Sequence, residues 1–155
     1  MKSLERFNLT GKAALVTGAG VGLGRAIALA LAEAGAFVGI HYNRSQNEAE
    51  EVLVQVRRSK GDGMVLKADL SKEKEANAVV DQLVAKVGRL DVLVNNAGAL
   101  VDRSKIENCP LELWQKSLDV NVTSAFLVTK RAIPHLRATR SGRIVNMISL
   151  STQTG

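Results

Sequence analysis

Thr17-Gly18-Ala19-Gly20-Val21-Gly22-Leu23-Gly24 is the stretch that decides the fold of this chain. The apolar run Ala13-Ala14-Leu15-Val16 leads into it and reads as a strand, and Arg25 to Ala34 leaves it with the pattern of a helix. Strand, tight glycine turn and helix N-terminus in that order build a site for an anion. Gly18 lets the chain turn, loop amides are expected to point at a phosphate, and the positive helix end favours the same charge. Gly22 and Gly24 carry no side chain to block a pyrophosphate or hold the helix off the strand. The spacing is T-G-x-x-x-G-x-G. G-x-G-x-x-G fails, because Gly20 and Gly22 would require a glycine where Arg25 stands, and no Gly-Lys-Ser/Thr follows as a Walker loop needs. On this loop alone a purely structural glycine turn stays open.

Four more apolar runs follow: Phe37-Val38-Gly39-Ile40, Met64-Val65-Leu66, Val92-Leu93-Val94 and Ile144-Val145-Asn146-Met147-Ile148. Nearly continuous apolar character, rather than alternation, predicts strands covered on both faces. Helical periodicities separate them. Ala49, Val52, Leu53 and Val56 share one face, and Val79, Val80, Leu83, Val84 and Val87 another, the latter between a Ser71 N-cap and a Gly88 stop. A long helix is expected over about 111–136, with Trp114, Leu118, Val122, Phe126 and Leu127. Such alternation predicts an α/β chain with a Rossmann-like, doubly wound parallel sheet, ending after the fifth strand.

Composition narrows the function. The 155 residues are 46% apolar and 23% charged, ordinary for a soluble globular chain, and at 3% aromatic the core must be aliphatic. The net charge of +6, from 21 basic and 15 acidic side chains, would suit nucleic acid or a small anionic ligand. Basic clusters occur at Arg57, Arg58 and Lys60 and along Lys130, Arg131, Arg137, Arg140 and Arg143. No aromatic residues interleave with them, so stacking platforms are missing and nucleic acid is not expected as a partner. Cys109 is the only cysteine, which precludes an internal disulfide and suits a reducing compartment. The first twelve residues lack a signal-peptide core, and Ala26 to Ala32 falls far short of the ~20 apolar residues of a membrane span. A cytoplasmic protein without membrane contact is expected.

Four further features follow the glycine turn: Asp69-Leu70 after the third strand, Asn95-Asn96-Ala97-Gly98 after the fourth, Asn121 within the long helix, and Gly142-Arg143-Ile144-Val145-Asn146-Met147-Ile148-Ser149. Taken singly, Asp69 and the asparagine pair read as turn residues, Ser149 or Ser151 as a strand terminus, and Asn121 as a helix residue with a structural or kinking role. Together and in this order they resemble the short-chain dehydrogenase/reductase family over all 155 residues, and within it 3-oxoacyl-(acyl-carrier-protein) reductases and sugar dehydrogenases. The resemblance implies a nicotinamide cofactor held by Thr17, Gly18, Gly20, Val21, Gly22, Leu23 and Gly24. It places Asp69 and Leu70 beside the adenine and Asn96, Ala97 and Gly98 at the sheet end near a ribose. Asn121 becomes a structural and proton-relay residue, and Ser149 the side chain that fixes a carbonyl oxygen. Family chemistry is hydride transfer between the nicotinamide and a carbonyl or alcohol carbon, with a tyrosine as proton donor tuned by a lysine one helical turn later. Pairing through the long helix makes a homo-oligomer, dimer or tetramer, the expected assembly. No metal is expected.

The family reads cofactor identity at the end of strand two, about twenty residues past the glycine turn. There His41-Tyr42-Asn43-Arg44-Ser45 has no carboxylate before Glu48. Arg44 offers a planar donor fork, with Asn43 and Ser45 beside it, so NADP is expected over NAD; Val21, where many NADP-dependent relatives carry a basic residue, argues weakly against it. The family's Tyr-x-x-x-Lys pair is absent: Tyr42 is the one tyrosine, with Gln46 four residues on. Residues 1–155 are therefore expected to be the dinucleotide-binding part of a longer enzyme, without its last strands and the helix of that pair. The alternative is a catalytically inactive nucleotide-binding or dimerisation fragment.

Overall fold

Ala13, Ala14, Leu15 and Val16 are almost wholly inaccessible to solvent, so the first strand is covered on both faces. The computed structural model, which describes residues 7–149, shows what covers it. Strands β1 (Ala13–Val16), β2 (Phe37–Tyr42), β3 (Asp62–Lys67), β4 (Val92–Asn95) and β5 (Arg143–Asn146) pair in parallel in the order β3-β2-β1-β4-β5. The chain between them forms α1 (Gly22–Glu33), α2 (Gln46–Arg58), α3 (Glu73–Val87), α4 (Leu111–Leu118) and α5 (Ser124–Ala138). Alternate β1 residues face opposite cores. Leu15 joins Val79, Val80 and Leu83 of α3 and Leu127, Val128 and Leu136 of α5. Ala14 and Val16 join Ala28 and Ala32 of α1 and Val52 and Val56 of α2. Helices thus cover both faces of a Rossmann-like sheet, as the sequence implies. The small alanines of α1 let it lie close to the strands.

Several boundaries differ from the sequence reading. Ser71 does not cap α3: its hydroxyl donates to Asp69 Oδ1 at 2.6 Å, and the helix opens one residue later from Lys72. Gly88 does end α3, in the left-handed conformation. The single long helix is divided by a π-helical stretch, Asp119–Thr123, between α4 and α5. All four β5 residues are exposed, and the expected Met147 and Ile148 lie past its end. Part of the basic cluster on α5 is engaged with α3, through Lys130–Glu73 at 3.0 Å and Arg131–Asp81 at 2.7 Å. Ser151 and the terminal stretches 1–6 and 150–155 of the expected domain lie outside the described residues. Among the described residues, no helix is long and apolar enough to cross a membrane.

Candidate functional site

In an open parallel sheet the natural ligand crevice lies past the carboxyl ends of the strands, where strand order reverses. Here that point lies between β1 and β4, and a cavity of about 640 Å³ opens there. Gly18, Val21, Leu23 and Gly24 form one wall; Asn43, Arg44 and Ser45 follow β2. Asp69 and Leu70 follow β3, and Asn96, Ala97 and Gly98 follow β4. Thr17, Gly20, Gly22, Asn121 and Ser149 are not among its lining residues.

The residues behind the wall explain its shape. Thr17 is buried; its hydroxyl donates to the Val94 carbonyl at 3.2 Å and accepts the Asn96 and Ala97 amides at 2.9 Å each. The Asn96 side-chain amide donates through Nδ2 to the carbonyls of Thr17 (2.9 Å) and Gly18 (3.1 Å). The glycine turn is therefore fastened across the sheet to the end of β4. Gly18 holds φ +63°, and a methyl on Gly24 would collide with the Gly18 carbonyl and the Asn96 amide. Gly20 lies against α2, where a methyl would come within 2.7 Å of Ser45 Oγ.

Two amides of the turn do not face a ligand as expected. The Gly18 amide donates to His41 Nδ1 at 3.0 Å, and the Ala19 amide to the His41 carbonyl at 2.8 Å. What the turn leaves uncommitted are the first-turn amides at the positive end of α1, from Gly22 onward. α1 has no side-chain cap and no acidic residue in its first turn, so that end is left for a ligand. This cradle fits a pyrophosphate.

Asp69 is prepared as an acceptor. Hydrogen bonds from the Ser71 hydroxyl hold its carboxyl below the usual carboxylate range, against a burial effect in the other direction, and Lys72 adds to the lowering. Glu75 Oε2 accepts the Asp69 amide at 2.7 Å and fixes the loop. Asn121, in the π-helical stretch, accepts the Ala99 amide at 2.9 Å and donates to the carbonyls of Ala99 (3.0 Å) and Ser117 (2.9 Å). Its side chain ties the helix to the loop after β4. Ser149 is exposed just past β5, two residues beyond Met147, whose amide donates to the Asn95 carbonyl.

Sequence reasoning missed His41, Lys116 and Ser124, which also line the cavity. A histidine in the otherwise apolar run of β2 was a readable signal for the first. Lys116 and Ser124 carry no local signal, because only the fold of α4 and α5 over the sheet end brings them there.

The model of the short chain dehydrogenase family matches residues 12–155. Similar proteins include glucose 1-dehydrogenase 2 of Bacillus subtilis, 35% identical over 94% of this chain and 57% of that protein. The 3-oxoacyl-[acyl-carrier-protein] reductase of Synechocystis is 37% identical over 95% of this chain and 59% of its own length. The chain thus spans under two thirds of the curated relatives it matches. Among solved structures, an NADH-dependent reductase of alginate metabolism, also solved with NAD, matches at 35% identity and TM-score 0.90, over 95% of this chain. The match covers 62% of that reductase, or 63% in its NAD complex.

Proposed function

The chain belongs to the short-chain dehydrogenase family, and from that premise we propose that it binds NADP(H) for an oxidoreductase acting on a carbonyl substrate. The observation that carries this reading is the cavity at the strand-order reversal, walled by the glycine turn on one side and by Arg44 on another. The first turn of α1 receives the pyrophosphate, and Asp69 accepts from the adenine. Asn43, Arg44 and Ser45 surround a ribose 2′-phosphate, Arg44 with a bidentate fork. When bound, the nicotinamide supplies the hydride. Ser149 holds the carbonyl oxygen of the substrate, and Asn121 orders the loop after β4 for proton relay. The one tyrosine, Tyr42, is buried on β2, so it is not the donor that Tyr-x-x-x-Lys would provide.

Likeness to the Synechocystis reductase favours a 3-oxoacyl group on an acyl carrier as substrate. A homo-oligomer is supported by the apolar face that α4, α5 and the stretch between them leave exposed, with Leu111, Trp114, Val122 and Phe126.

Fluorescence titration of the purified protein tests the cofactor reading. NADPH should bind more tightly than NADH. Arg44→Ala should weaken NADPH by roughly thirtyfold, the ~2 kcal/mol of a charged hydrogen-bonded contact, and leave NADH within about twofold. Equal weakening of both would remove the 2′-phosphate from Arg44.

A further inference from the structure

His41 is the penultimate residue of the apolar strand β2 and is 2% exposed, yet its whole polar capacity is spent on backbone. Nδ1 lies 3.0 Å from the Gly18 nitrogen and Nε2 3.1 Å from the Ala68 oxygen. The amide can only donate and the carbonyl can only accept, so the tautomer follows: the ring is neutral, with its proton on Nε2. Its own carbonyl takes the next amide of the turn, from Ala19. One residue of β2 therefore holds both amides that begin the glycine turn, and it is itself braced by the chain leaving β3. No other side chain reaches the Gly18 amide among the described residues. An imidazolium would set N–H against N–H there.

On the reading that this cavity holds a dinucleotide, we propose that His41 is a positioning residue of the cradle. Its Nδ1 acceptor fixes Gly18 in the left-handed conformation from which the α1 amides address the pyrophosphate. Gly18 has φ +63°, a conformation open to glycine, but the same freedom lets the residue leave it, so a fixed partner is what makes it persistent. Asn96 accounts for the Gly18 carbonyl and His41 for its amide, so the peptide units on both sides are held. Burial pushes the ring's proton affinity below the usual histidine value, partly offset by the Ala68 hydrogen bond, and so keeps Nδ1 an acceptor at neutral pH. The titratable and charged groups lining the same cavity are Tyr42, Arg44, Asp69 and Lys116; none hydrogen-bonds the ring, and Asp69 is occupied by Ser71 and Lys72.

The test uses the purified full chain at pH 7.5 with NADPH as probe. His41→Phe keeps the ring volume and removes both hydrogen bonds. His41→Asn keeps an acceptor at the position of Nδ1 and cannot become cationic. NADPH affinity should fall about tenfold or more in His41→Phe, as a part-buried amide stranded without its acceptor requires, and stay within about threefold of the parent in His41→Asn. Both variants should lose stability, so rescue of affinity alone separates positioning from packing. Equal affinities in the parent and His41→Phe would overturn the role of His41 and leave the dinucleotide reading standing. A parent that binds neither NADPH nor NADH would overturn both. Nitrogen-15 NMR of the unsubstituted protein needs no variant to fold: the two histidines are His41 and His135, and one ring should be a neutral Nε2–H tautomer. A His41 ring protonated on Nδ1 would overturn the proposal.

Discussion

Gly24 separates two reasons for a glycine. Gly22, with φ +57°, has open space where a side chain would go, so alanine there meets only backbone strain of roughly 1 kcal/mol. Gly24 is an ordinary helical residue, but a methyl would strike the carbonyl of Gly18 and the Asn96 amide, both already committed to holding the turn. Backbone cannot yield there without opening the link between β1 and β4. Alanine's better helix propensity returns about 1 kcal/mol; overpacking costs about 1–3 kcal/mol. Gly24→Ala should therefore lower stability by about 1 kcal/mol and NADPH affinity by more than tenfold, because the displaced atoms are those of the cradle. Urea unfolding together with an NADPH titration checks both; unchanged affinity would show that the turn has slack the geometry denies. The motif spacing points to the glycines but not to this distinction, since the Gly18 carbonyl becomes a neighbour of position 24 only after the turn is made.

At the scale of elements, the strands and the faces of the helices were legible because apolar runs and helical periodicity report burial directly. What escaped was governed by competition for hydrogen bonds. Ser71 looks like a cap, but Asp69 takes its hydroxyl. The π-helical stretch from Asp119 to Thr123 is invisible to periodicity; it is accompanied by Asn121 bonding back to the Ser117 carbonyl and out to Ala99. Candidate site residues were readable where a loop leaves a strand, at Arg44 or Asp69, and unreadable at Lys116, which only tertiary packing delivers. The clamp at Asn121 makes a directional prediction. Asn121→Ala removes three exposed hydrogen bonds that water partly replaces, costing about 1 kcal/mol. Asn121→Asp keeps the acceptor for the Ala99 amide but turns a second oxygen toward the Ala99 and Ser117 carbonyls, so it should be the less stable of the two. Denaturation midpoints in the reverse order would mean that the clamp does not hold the loop. The contact is close because Gly98 has no side chain: a methyl there would come within 2.9 Å of Asn121 Oδ1.

For the whole molecule, the sheet is fastened by polar groups at both ends of its strands, and both fastenings depend on protonation. At the carboxyl end, neutral His41 joins β2 to the glycine turn and the chain after β3. At the opposite end Asp91, with a side chain 3% exposed, accepts from Nε and Nη2 of Arg89 at 2.7 Å each and from the Ala13 amide at 3.0 Å. Lys12 approaches the same carboxylate, and the Asp91 carbonyl accepts the Arg143 amide that opens β5. Burial would raise the Asp91 carboxyl, but these partners together hold it below its ordinary 3.8. The two ends fail at different pH. The unfolded chain protonates His41 near 6.5 while the folded chain resists, so the stability from a neutral ring is complete above 6.5. It declines below that value until the folded ring is itself protonated. Asp91 stabilises fully above 3.8 and loses that contribution as pH falls through its lower folded value. Urea midpoints measured from pH 7.5 to 3 should therefore fall in two stages, the first no steeper than about 1.4 kcal/mol per pH unit, the limit for a single proton. His41→Asn should flatten the first stage and preserve the second. If it falls between pH 7.5 and 5.5 as steeply as the parent, the proton is taken up elsewhere and the ring at the glycine turn is not the group that sets the acid limb.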